Sequence, residues 1–97
     1  MAKAYWVIAW RSISDQSAVD RYAATAGAVI QVNGGRILAG GMPAKRYEAG
    51  ISARLVIVEF ENLSAATSTY ESAEYQAAVA HLLGAAERDV RVIEGVE

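Results

Sequence analysis

The stretch Ala4-Tyr5-Trp6-Val7-Ile8-Ala9-Trp10-Arg11 is apolar at successive positions and rich in aromatic and β-branched side chains. Such a run reads as a central strand covered on both faces. Beyond it, apolar residues fall at Val19, Tyr22, Ala23, Ala26, Val29 and Ile30, the three-and-four spacing of one helix face. Ser14 or Asp15 can cap that helix, which the spacing places from about Gln16 to Val32. Asn33-Gly34-Gly35 then ends it, because these residues accept the left-handed backbone of a helix C-terminus.

Working outward, Arg36 to Gly40 reads as a short strand broken by Gly40-Gly41-Met42-Pro43, and residues 42–52 carry no assignable pattern. Arg54 to Phe60 is again apolar almost throughout and reads as the second strand covered on both faces. Asn62 caps a helix from near Leu63, and Ser72 caps the chain again. Tyr75, Ala78, Val79, Leu82 and Ala86 then share one face of a helical piece ending before Asp89. The last strand is Val90 to Glu94. The order is β-α-β-β-α-β, a ferredoxin-like α+β fold: a four-stranded antiparallel sheet with two helices on one face, the first and third strands central. With no internal repeat or linker, residues 1–97 make one domain. Two helices cover only one side of such a sheet, and a second copy of the chain is the economical cover for the other, which predicts a homodimer.

Composition agrees. At 97 residues a core is workable but thin, and 54% apolar against 21% charged residues leaves little polar surface for a lone monomer. Nine Lys plus Arg against eleven Asp plus Glu give a net charge of -2 with no block of either sign. Nucleic-acid and membrane partners are therefore not expected. There is no Cys and one His, so disulfides, thiolate metal sites and a Cys nucleophile are excluded, and no metal or cofactor is expected. The N-terminus has no signal-peptide pattern, and no segment approaches a membrane span, so a cytoplasmic location is the default expectation.

Several pieces in this order resemble a known family: Tyr5-Trp6, Asp15 and Tyr22, Gly34-Gly35-Arg36 with Gly40-Gly41, Val58-Glu59-Phe60, Tyr70-x-Ser72-x-Glu74-Tyr75-Gln76, and Ala85-Ala86-Glu87 with Asp89. Over nearly its whole length the chain is similar to the bacterial proteins grouped as domain of unknown function 1330, within the dimeric α/β-barrel superfamily. The resemblance implies homodimers whose sheets face one another, and the sequence leaves a higher oligomer open. It also implies a cleft between helices and sheet, or a barrel interior, where superfamily members carry out cofactor-free monooxygenase, isomerase or haem-degrading chemistry. Two departures stand out: Gly40 and Leu82 occupy positions where relatives often carry a basic residue. Ala73 stands where relatives often have Pro.

Among individual residues, His81 alone has an ordinary pKa near neutrality and is the natural candidate acid or base. At ~100° per residue it projects about 120° from the Tyr75-Ala78-Val79-Leu82 stripe, which places it on a helix flank beside Glu74. Glu59 shares its side of a strand with Leu55 and Ile57, so its carboxylate needs a partner or a pocket; Arg36 on the neighbouring strand is the expected partner. This pair reads either as a structural tie or as a ligand-orienting, catalytic pair. Trp10, Tyr70 and Tyr75 offer apolar bodies with a polar atom, as a small aromatic ligand requires, although such residues more often pack cores and dimers. Trp10, near a strand end, is best placed for a pocket mouth. The expected function is binding of a small, mostly apolar molecule in a cleft, with cofactor-free chemistry as an extension. The rival is a non-catalytic structural or stress-associated module.

Overall fold

The computed structural model describes residues 2–96. Strand β1 spans Ala4–Ile13, helix α1 Gln16–Val32, β2 Arg36–Gly41, β3 Arg54–Phe60, α2 Leu63–Glu71, α3 Ala73–Val79, then a 3-10 turn Ala80–Leu82 and β4 Ala86–Glu94. The strands form one antiparallel sheet in the order β2-β3-β1-β4.

Local chemistry explains the boundaries. Asp15 caps α1, its carboxylate accepting from the N–H groups of Ser17 and Ala18. The Ser17 hydroxyl, first among several donors, holds that carboxyl below its ordinary range. Asn62 caps α2 by accepting from Ala65 N–H. At Ser72 the backbone turns extended, and the side chain does two jobs: its Oγ donates to the Thr69 carbonyl and accepts from Tyr75 N–H.

That junction corrects the two-helix expectation, because the second helical region is two helices and a 3-10 turn, separated where Ser72 leaves helical geometry. The end of this region is corrected too. Gly84, at φ +74, turns the chain out of the helix, so Ala86 begins a strand rather than completing a helical face. The strand can start this early because β1 continues to Ile13 through a bulge between Trp10 and Ser12, and its extra residues pair with Glu87 and Ala86. Residues 42–52 hold no helix or strand.

The pleat then sorts the side chains. Ala4, Trp6, Ile8 and Trp10 of β1, with Val58 and Phe60 of β3, point under the helices and form the core with Tyr22, Ala26, Ile30, Ala66, Tyr75, Ala78 and Leu82. Trp6 is fully covered; its indole N–H donates to the Ala66 carbonyl at 2.9 Å, so the ring is anchored as well as packed. Tyr5, Val7 and Ala9 point the other way and are only half-buried in the single chain. The unbroken apolar run therefore reflects two unequal faces, one sealed by helices and one left open.

Candidate functional site

Both faces of the sheet carry groups worth following. On the open face, register sets Arg36, Glu59 and Tyr5 in one row across β2, β3 and β1. Arg36 Nη2 lies 3.1 Å from Glu59 Oε1, and the Tyr5 hydroxyl donates to Oε2 at 3.3 Å. The expected Arg36 partner is thus present, with Tyr5 as a second donor that spacing alone did not reveal. The carboxylate is mostly covered, at 14% exposed, whereas Arg36 is 73% exposed. Around this row Val7, Ala9, Leu55, Ile57 and Ile93 make the open face apolar, and at the β4 edge Arg91 clasps Asp89 through two contacts of 3.0 Å. Arg91 holds the Asp89 carboxyl below its ordinary range.

On the helix side, the register of the other end of the sheet sets Arg54, Trp10 and Arg88 in one row. The Arg88 guanidinium lies 5.1 Å from the centroid of Trp10 and 4.9 Å from that of Tyr22, and its Nη1 donates to the hydroxyls of Tyr22 and Tyr75 at 3.1 and 3.3 Å. Those two hydroxyls are also hydrogen-bonded to each other. Four elements, β1, α1, α3 and β4, therefore converge on one polar cluster in an otherwise apolar layer. Burial above all, with Tyr22 adding to it, pushes the Tyr75 phenol up, against a smaller downward pull from Arg88. Tyr75 is thus a neutral partner at physiological pH. Among the described residues Arg88 meets no carboxylate. Cation–π contacts of this kind contribute about 0.5–2 kcal/mol, less than the several kcal/mol that full desolvation of a lone charge costs.

Two grooves flank the cluster. One, of about 410 Å³, runs between α1 and the sheet, with Ile8, Trp10, Ala23, Gly27, Ile37 and Val56 in its walls and Gln16, Asp20 and Arg54 as polar groups. Trp10 is 8% exposed, and its buried Nε1 has no hydrogen-bond partner among the described residues. An unmet buried donor costs about 1–3 kcal/mol, and because this atom is covered by its neighbours that cost stays within the fold. The other groove, of about 430 Å³, lies between α3, the 3-10 turn and β4, and is lined by Tyr70, Gln76, Leu83, Arg88 and Val90 among others.

The sequence candidates divide accordingly. Trp10 lines the first groove and Tyr70 the second. Tyr75 is fully buried and acts from within the cluster. Glu59 and Arg36 lie together on the open face, away from both grooves. His81 is exposed on the 3-10 turn, lines neither groove, and makes no hydrogen bond with Glu74. Arg88 was missed because its segment reads as the end of a helix; the alternation Arg88, Val90, Val92 on one strand face was the available signal. No group of three or more metal-type side chains occurs among the described residues, and none of their helices is long and apolar enough to cross a membrane.

Comparisons extend the picture. A protein of unknown function from Rhodopseudomonas palustris, RPA0582, is 15% identical, with a TM-score of 0.73, covering 99% of this chain and 84% of that one. A dimeric protein of unknown function and ferredoxin-like fold from Bacteroides fragilis is 14% identical, with a TM-score of 0.63 and 96% of each chain covered. SnoaB, a cofactor-independent oxygenase from Streptomyces nogalater, is 8% identical, with a TM-score of 0.70, covering 100% of this chain and 96% of that one. At these identities the likeness concerns the fold alone. No curated protein matches. The model of the family called domain of unknown function 1330 matches residues 3–96, the whole of the sheet and its helices, and the chain belongs to that family.

Proposed function

We propose that the protein is a homodimer, formed through its open sheet faces, that takes up a small, mostly apolar molecule in the groove between α1 and the sheet. The observation that carries the binding reading is the groove itself, about 410 Å³ with the Trp10 ring in a mostly apolar wall. Its ligand is a mostly apolar molecule of aromatic size. Self-association is supported by the apolar centre of the open face and by the dimeric state named for the Bacteroides neighbour. Cofactor-free oxygenase chemistry has in its favour the likeness of the fold to that of SnoaB, a cofactor-independent oxygenase. A base would have to touch the ligand, and neither His81 nor Glu59 lines the groove. Binding without turnover at those two residues is the reading their positions support.

Gly27 supplies the test, since a β-carbon there would meet nothing within 4 Å and a larger side chain would grow into the groove. Titration with 2-naphthol, followed by tryptophan fluorescence, should give saturable quenching in the native protein. Gly27→Leu should weaken it about tenfold or more. It should also leave melting unchanged or raised, because Leu is the better helix former. No saturable quenching in the native protein, or native-like binding by the filled variant, would reject the proposal.

A further inference from the structure

The second groove carries a feature that the first does not. Arg88 lies in its wall, half-buried, with one nitrogen committed to two phenol oxygens and its guanidinium carbon about 5 Å from the ring centroids of both Trp10 and Tyr22. Its Nε and Nη2 make no hydrogen bond among the described residues. Among the described residues, no Asp or Glu lines this groove. The nearest acid along its strand, Asp89, projects to the opposite face of the sheet, where Arg91 clasps it. Arg54, in the same cross-strand row, is likewise in no ion pair among the described residues, although Asp20 shares the wall of the first groove with it. Tyr75 does not provide Arg88 with a counter-charge, because its phenol resists ionisation in its buried setting.

We propose that Arg88 holds the acid group of an apolar carboxylate lying in the groove between α3, the 3-10 turn and β4. The guanidinium edge left free is a planar, two-donor surface that matches a carboxylate. Its orientation is fixed beforehand by the two tyrosines and the two rings, so little side-chain freedom is lost on binding. Val79, Leu82, Leu83 and Val90 provide apolar walls for the remainder of the molecule. The site stands apart from the groove beneath α1 and does not depend on its occupancy.

Isothermal titration with 1-naphthoate and its neutral counterpart 1-naphthamide tests the site. The native protein should prefer the acid by about tenfold or more, and Arg88→Gln should erase that preference. Because Arg88→Gln disturbs a cluster within the core layer, Leu83→Asp provides a second variant that leaves packing alone: the residue is 90% exposed and lies on the groove's rim. It should weaken naphthoate severalfold more than naphthamide, since the new carboxylate competes for Arg88 while the lost apolar contact is common to both ligands. Gly27→Leu should keep the acid preference, which separates this site from the first groove. The proposal is overturned by absence of saturable naphthoate binding, by equal affinity for acid and amide, or by a Leu83→Asp protein that binds naphthoate as the native one does.

Discussion

Gly35 presses against Phe60: a β-carbon at position 35 would stand 2.8 Å from Phe60 Cε1 and 2.6 Å from Ile30 Cγ2. The last turn of α1 can reach the sheet only because this residue has no side chain. Phe60 and Ile30 are both buried, so neither can swing aside. Gly35→Ala should therefore destabilise the protein by roughly 1–3 kcal/mol through overpacking, read as a lower midpoint in urea denaturation. A variant as stable as the native protein would show that the contact relaxes freely.

The Tyr75 phenol ionises less readily in the folded protein than its ordinary value of 10 implies. Its favourable contribution is complete below that value and is lost as pH rises above it, because the unfolded chain then releases a proton that the folded one retains. Stability above pH 10 should fall by up to about 1.4 kcal/mol per pH unit from this group. Tyr75→Phe should flatten the alkaline limb of a plot of stability against pH. An identical slope in the variant would assign the effect elsewhere.

Ser72 separates α2 from α3 and bonds to both. Ser72→Ala removes the cap on Tyr75 N–H and the bond to the Thr69 carbonyl. A loss of about 1 kcal/mol is expected. For a domain of this size that lowers Tm by roughly 4–8 °C, measurable by circular dichroism.

Ile57 stands at the middle of the open face, paired in register with Val7 and Ala39. If two such faces meet, Ile57→Arg buries a charge without a partner and should convert dimers to monomers in light scattering at micromolar concentration. A native protein that is already monomeric there, or a variant that remains dimeric, would remove the sheet-to-sheet arrangement.

Much of the fold was legible because the deciding signals are local. The bounds of α1 follow from Asp15, the apolar stripe and Asn33-Gly34; the kinds and order of the strands follow from apolar runs and their breakers. The boundary after α3 was not, since Ala86 fits a helical stripe as well as a strand, and only Gly84 and the longer β1 decide between them. On the open face, the Arg36–Glu59 contact was legible from neighbouring strands. Arg88 was not, because its partners Tyr22 and Tyr75 lie on other elements and meet it only once the sheet register is set. His81 drew notice through a property of imidazole in general, which says nothing about where the fold puts it.

The bulge that lengthens β1 has one more effect. It delivers Ser14 to the start of β4, where the Ala85 carbonyl accepts from the backbone N–H groups of Ser14 and Asp15 and from the Ser14 hydroxyl. A single peptide oxygen thus rivets the first turn of α1 to the first residues of β4. The entrance to the groove at Gln16 and the segment that carries Arg88 share this fastening, so slow amide exchange at Ser14 should track that of β4 and not that of the adjoining helix.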